Sequence, residues 1–416
     1  MQNALQRVSI IQHIGTTQRA SARLGISDTE FIRWPWWGLY ATPGKRKNLD
    51  NHVPALLYSA NFKAITKIYF LVRHRPVKGA GHGRQTGTIG WCDVDILSSL
   101  RERVALVFPG QGSQYVGMGK ELYETSPAAR RVFDRADVVL GFSLSQLCFV
   151  GPQAELDDTY NAQPAILTVS IACLEALKEK LGPLGYALVP SLVAGHSLGE
   201  FTALVVAGVL DFDDALKLVR ERGRLMKETG DARPGGMAAV IGLDTPTIQQ
   251  VVQEAQSAGV VTLANDNSPG QTVLSGDIAA LQRAMELAKQ RGARLVQRLA
   301  ISIASHSPLM QQASQSFAGL VSQSAFRPPQ MPLIANISAR ALTTVDELRV
   351  ELSEHLVRPV QWTRSVQTIT AQGITTIIEI GPKQVLTSLV KRITPDANPV
   401  SLTDADVVKL IASLEA

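Results

Sequence analysis

Ser197 has a glycine two residues away on either side, within LVAGHSLGEFTALVV, Leu192 to Val206. A serine hydroxyl is a weak nucleophile. It needs a base for its proton and donors for the oxyanion it creates. Leu192, Val193 and Ala194 predict the end of a parallel strand, apolar on both faces. Leu198 to Ala207 predicts a helix of good helix formers, so the serine falls on the connecting turn. Gly195 and Gly199 would let strand and helix pass closely around a strained nucleophile elbow. The helix N-terminus then offers free N–H groups to an oxyanion. The competing reading is a glycine-rich β–α turn capped by serine, with no chemistry.

Histidine is the usual base near neutral pH. Of seven histidines, His13, His52, His74 and His82 fall in an N-terminal segment unlike the rest. His196 adjoins the serine but points elsewhere on the turn, and His355, in the polar stretch DELRVELSEHL, predicts a solvated side chain. His306, in SIASHSPLM, ends an apolar stretch before Ser307 and Pro308, a helix cap followed by proline in the first turn. It is the candidate base.

Arg222 is the cation out of place. In the helix expected over Phe212–Lys227 it falls three or four residues from Leu218, Val219, Leu225 and Met226, in the middle of their apolar stripe. Arg220 and Arg224 fall on outer faces. A guanidinium facing inward needs an anion or several acceptors. An internal salt bridge would supply them, and so would the carboxylate of a substrate. FPGQGSQ, Phe108 to Gln114, resembles a phosphate loop but lacks the GK[ST] of a Walker A motif. Gln111 is instead a candidate to lend its backbone N–H to an oxyanion. NSPGQTVLSG, Asn267 to Gly276, predicts a turn leading into a strand.

These residues need a framework to hold them. The chain has 416 residues, 45% hydrophobic, enough for two or three domains and a large core. Its three cysteines show neither CxxC nor zinc spacing, which indicates no metal site and suits a reducing, cytoplasmic compartment. No apolar run is long enough for a membrane span. Residues 1–100 carry 13 Lys+Arg against 5 Asp+Glu, whereas 101–416 carry 28 against 31. The basic balance therefore belongs to the first segment and does not indicate a nucleic-acid-binding protein. That segment also holds four of the five tryptophans, and no acidic residue precedes Asp28. It loosely resembles a transit peptide, but we read it as a disordered extension or the product of a misplaced start. From Val104 onward, short strands alternate with amphipathic helices, predicting an α/β domain over 101–416. Within it Met237–Leu243, Pro246–Ala258, Val260–Ala264, Thr272–Ser275, Ile278–Arg291 and Arg294–Leu299 predict β-α-β-β-α-β. That order is a ferredoxin-like subdomain at about 236–300.

VFPGQGSQYVGMG, QPAILTVS, GHSLGEFTALVVAGVLDF, RERGRLM, NSPGQTVLSG, SHSPLM, PVQWTRSV and EIGPKQVLTSLVKRI occur in the order found in malonyl-CoA:acyl-carrier-protein transacylases. The resemblance spans about Arg103 to the C-terminus and none of residues 1–100. It implies an α/β-hydrolase-like core with a parallel sheet and an inserted ferredoxin-like subdomain. Malonyl-CoA and acyl carrier protein would be the partners, and no metal or bound cofactor is required. By resemblance, Ser197 is the acyl-accepting nucleophile, His306 its base and Arg222 the grip on the malonyl carboxylate. Gln111 and Leu198 would be the oxyanion donors, and Gln361, through its main-chain carbonyl, would orient the histidine. Carrier proteins of this kind are acidic, which makes Lys383, Lys391 and Arg392 candidates to meet them. The chain is expected to act as a monomer. It departs from many stand-alone bacterial members at Ala304, where they carry proline; in related polyketide acyltransferases this stretch tracks extender-unit choice.

Two rival readings stand beside this one. An α/β-hydrolase-type esterase or thioesterase expects an HGGG motif, absent here, and gives an inward Arg222 no role. A non-catalytic carrier-binding module has no use for serine, histidine and arginine together.

Overall fold

Val104–Phe108 (β2) is apolar and buried at every position, as an inner strand of a parallel sheet must be. Leu192–Gly195 (β4) and Thr376–Ile380 (β11) flank it and are equally buried. Asn398–Leu402 (β12) closes one side of this six-stranded sheet, and Leu333–Ile334 (β9) with Ala341–Leu342 (β10) closes the other. The order is β10-β9-β4-β2-β11-β12, parallel throughout except for the β10–β9 pair. In the computed structural model, residues 73–74, 104–183 and 186–415 are described. Arg73–His74 (β1) pairs antiparallel with Tyr186–Ala187 (β3). His13, His52, His82, the four N-terminal tryptophans and the acid-free stretch before Asp28 lie outside the described residues. Among the described residues no helix is long and apolar enough to cross a membrane.

Helices cover the sheet. The 23-residue helix Thr159–Leu181 is buried on nearly every side from Ala162 to Leu177, and its charged residues gather in its last turns. Against it packs Phe212–Ala232, whose inward stripe includes Leu218, Val219, Arg222 and Met226. That helix runs one turn beyond the Lys227 expected from its periodicity, and Thr229 O accepts its capping N–H.

Between Gly235 and Arg298 the chain builds a second sheet. Gly235–Ile241 (β5), Val261–Ser268 (β6), Gln271–Asp277 (β7) and Leu295–Arg298 (β8) lie in the order β6-β7-β5-β8, all antiparallel. Helices Thr245–Ala255 and Ile278–Gln290 pack together and share one apolar cluster with this sheet. β6 continues four residues past the expected Ala264. Register shifts beside Asn265 and Ser268 let its polar end stay paired with β7 while it bends toward Val360.

Candidate active site

The register of the parallel sheet assembles the elbow. Phe108 pairs with Gly195, so the Pro109–Gln111 loop and the serine turn leave adjacent strands at the same level. His196 N donates to Phe108 O at 3.0 Å across that gap. A Cβ on Gly195 would stand 1.9 Å from the Gly199 carbonyl carbon, and one on Gly199 would stand 2.0 Å from Phe108 O. Only glycine fits at either place. Between them Ser197 adopts φ 49°, a left-handed backbone that strains an L-residue and projects its side chain off the turn. Asn336 braces the turn, because its Oδ1 accepts the Ser197 N–H at 2.7 Å. Its Nδ2 donates to Gly195 O at 2.8 Å and to Glu200 Oε2 at 2.7 Å.

His306 reaches Ser197 from the loop before the short helical turn Pro308–Met310, capped by Ser307 as expected. Its backbone is also left-handed, at φ 57°. Nε2 lies 2.8 Å from Ser197 Oγ, and Nδ1 lies 3.0 Å from both His355 O and Arg358 O. Carbonyls only accept, so the proton sits on Nδ1 and the Nε2 lone pair faces the hydroxyl. Burial above all, then the Arg222 charge and His196, hold this imidazole down to about 3, so it rests neutral.

The residues that orient His306 differ from expectation. Gln361 precedes the helix Trp362–Ala371, and Ser365 takes its carbonyl through both N and Oγ. That oxygen is committed to the first turn of its own helix. The carbonyls facing His306 come from the unwound end of helix Val345–Glu354, where the last C=O groups have no intrahelical partner. The Gln361 side chain instead donates to Ile337 O at 2.9 Å and accepts from Arg364.

His355 corrects the sequence reading as well. Expected in solvent, it is buried at 1% exposure with its ring against Phe201 and His306. Its helix ends at Glu354, so Glu354 and Arg358 stay exposed while the imidazole turns into the core, beside the buried end of the helix that also holds Glu351. Burial and the Arg222 charge push its pKa well below the usual value.

Arg222, also 1% exposed, does lie in the core. NH1 donates to Gln163 Oε1 at 2.7 Å, and NH2 lies 3.3 Å from Ser197 Oγ and 3.2 Å from His355 Nδ1. Its Nε–H has no acceptor among the described residues. Burial lowers the guanidinium's pKa to about 9, opposed by Glu200. Glu200 is itself buried, which pushes its carboxyl up, while the Asn336 donors and Arg222 pull it back. The cation therefore has neutral partners at contact distance and one acidic group beyond them. Arg220 stacks on Tyr160 and Phe142, on the outer face as its position implied.

The N–H groups of Gln111 and Leu198 donate to no protein acceptor among the described residues. A Cβ on Gly110 would lie 3.6 Å from Leu198 N, so the two loops touch. The Gln111 side chain is held by Thr159 Oγ1 at 2.9 Å. Beside them runs a groove of about 320 Å³, lined by Gln111, His196, Asn267, Gln271, Leu389 and Arg392. It lies where the antiparallel sheet faces the helix Leu386–Ile393. His196 points into it and bonds Asn267 at 2.8 Å, away from the serine hydroxyl. Of the suggested carrier-docking cations, Lys383 is engaged: its ammonium donates to Gly112 O and Gln114 O. Arg392 meets Gln271 at the groove, and Lys391 stays exposed. Among the described residues no cluster of three or more His, Cys, Asp or Glu side chains could hold a metal ion.

Reading along the chain missed Gln163, Asn336 and Glu200. Gln163 carried one signal, a polar residue just before the apolar run Pro164–Leu167. The others carried none.

A strained serine with a histidine at its oxygen, free N–H groups beside it and a guanidinium at its flank defines an acyl-transferring enzyme. The acyl transferase domain family matches residues 105–411. The malonyl CoA-acyl carrier protein transacylase of Bacillus subtilis is 43% identical over 309 residues, 74% of this chain and 96% of that protein. The Escherichia coli K12 protein of the same name is 40% identical over 311 residues, 75% of this chain and 98% of that protein. An acyl carrier protein S-malonyltransferase structure from Vibrio cholerae aligns at TM-score 0.70 with 39% identity, over 74% of this chain and 99% of that one. So does, at TM-score 0.70 and 38% identity over 74% and 99%, a malonyl-transacylase in complex with its type II polyketide acyl-carrier protein. The chain belongs to the malonyl CoA-acyl carrier protein transacylases, and it is an acyltransferase.

Proposed function

We propose that this enzyme moves a malonyl group from malonyl-CoA to the phosphopantetheine thiol of acyl carrier protein through an ester on Ser197. One observation carries the reading: a buried guanidinium lies 3.3 Å from a serine oxygen that an imidazole also faces at 2.8 Å. Neutral-ester hydrolysis gives such a cation no work, whereas a malonyl carboxylate matches its planar fork.

The Ser197 oxygen attacks the thioester carbonyl as its proton passes to His306 Nε2. The carbonyls of His355 and Arg358 stabilise the imidazolium through Nδ1–H. The tetrahedral oxyanion rests on the N–H groups of Leu198 and Gln111. As the C–S bond breaks, the CoA sulfur takes the proton from His306, leaving malonyl-Ser197. The carrier thiol then gives its proton to the same nitrogen, attacks the ester and releases Ser197, which recovers the proton. The groove beside the elbow suits the thioester arm of either partner.

The finer architecture belongs to the same proposal. The serine turn follows a parallel strand as in an α/β-hydrolase-like core, and the β-α-β-β-α-β block with order β8-β5-β7-β6 is a ferredoxin-like subdomain. We take 101–416 as the acyltransferase domain, acting as a cytoplasmic monomer, and residues 1–100 as outside it. The family match at 105–411 supports that division.

Intact-mass analysis after mixing with malonyl-CoA tests the function. We expect one malonyl group, mapped to Ser197 and discharged by holo carrier protein. Free malonate with no adduct would assign the protein to the thioesterases instead.

A further inference from the structure

His355 touches both halves of the site through different atoms. Its carbonyl accepts from His306 Nδ1 at 3.0 Å. Its ring nitrogens do something separate. Nδ1 lies 3.2 Å from Arg222 NH2, and Nε2 lies 2.9 Å from Glu200 Oε2. A guanidinium only donates, so Nδ1 must be the acceptor, and a neutral ring then carries its proton on Nε2, which lies near the Glu200 carboxyl without the alignment of a hydrogen bond. Glu200 is anchored in turn by Asn336, which also holds the Ser197 N–H. The ring is wholly buried, wedged edge-on to Phe201 and His306. Phe201 also lies under the guanidinium, 5.6 Å from its carbon. Arg222 is thus fixed by Gln163 at NH1, by His355 at NH2 and by an aromatic face. The NH2 position sets how far the fork stands from the serine.

We propose that the His355 side chain is a positioning residue for substrate selection: it aims Arg222 at the acyl carboxylate. This rests on the reading of Arg222 as the carboxylate grip. The main-chain carbonyl of His355 survives any substitution, so orientation of the base and aiming of the arginine can be separated. Loss of the imidazole should then act on the choice between malonyl and acetyl groups more than on acylation itself.

The test is the ratio of malonyl to acetyl acylation rates at Ser197, read by rapid-quench mass spectrometry on the full chain. Wild type is compared with His355→Leu, His355→Asn, His355→Gln and Arg222→Ala. Asparagine carries its amide at the distance of Nδ1 and can still accept from Arg222. Glutamine carries its amide one atom further out, toward Glu200, and leucine has none. We expect the ratio to fall about tenfold in the leucine and glutamine variants and to stay within about twofold in the asparagine variant, the scale of one hydrogen bond to a charged group. If the leucine protein does not fold, the asparagine–glutamine pair decides. An unchanged ratio in Leu and Gln, with a collapsed ratio in Arg222→Ala, would overturn this proposal alone. So would an equal fall of both rates together with thermal stability in all three variants, which marks a merely structural residue. An unchanged ratio in Arg222→Ala overturns the reading of Arg222 and this proposal with it.

Discussion

Asn336 Oδ1 accepts the Ser197 N–H at 2.7 Å across 139 residues of sequence. A side chain beyond β9 therefore holds the left-handed turn on which the serine stands. Its amide also ties Gly195 O and Glu200. Asn336→Ala removes all three contacts and leaves buried groups without partners. Unfolding stability should fall by about 1–3 kcal/mol per group left unpaired, read from urea midpoints, and acylation should slow with it. A variant as stable and fast as wild type would show that the elbow holds itself.

Ser197→Ala should yield no malonyl adduct. His306→Ala should slow acylation about 10⁶-fold, as loss of a triad base does elsewhere. An adduct recovered on another side chain of the Ser197→Ala protein would reassign the nucleophile.

Arg222→Ala should lower malonyl transfer at least ~10-fold while raising acetyl transfer relative to it, since one charge-assisted hydrogen bond is worth roughly 1.5–3 kcal/mol. Arg222→Lys should restore only part, because an ammonium cannot reproduce the fork. Steady-state kinetics with both thioesters measures this, and equal losses for the two acyl groups would count against it.

Burial lowers the pKa values of His196, His306 and His355, that of His306 to about 3. The free enzyme therefore keeps its base deprotonated where an ordinary imidazole, near pKa 6.5, is half protonated. kcat/KM for malonyl-CoA should stay level as pH falls from 8 through 6.5 and decline only below that. Stability behaves differently. Below about pH 6.5 the unfolded chain binds protons at these histidines that the folded chain refuses, so folding stability should fall as pH falls. A rate profile with its midpoint at 6.5 would mean that His306 is solvated in the working enzyme.

A chain beginning at Ser99 should fold and transfer malonyl groups at the full rate. The V. cholerae structure is covered to 99% by 74% of this chain, which leaves little of it for the first hundred residues to match. Loss of activity on truncation would make that segment part of the catalytic unit.

Several parts of the site were legible along the chain because their causes are local. Gly195 and Gly199 bracket Ser197 at the spacing a tight turn demands, and Arg222 interrupts an apolar stripe that periodicity alone exposes. Ser307 and Pro308 mark a helix start beside His306. Alternation of helix and strand likewise announced the α/β domain and the β-α-β-β-α-β block. His355 was misread because a histidine among charges looks solvated until its helix ends and the ring turns inward. Gln361 was misplaced because nothing in a sequence says which carbonyl a helix has already claimed. Asn336, Glu200 and Gln163 depend on segments that parallel strand register and helix packing bring together from far apart. Local geometry thus determined which residues could react. Only the tertiary structure decided which polar groups hold them, because a buried hydrogen-bond partner is selected by proximity in space and leaves no periodic trace in the chain.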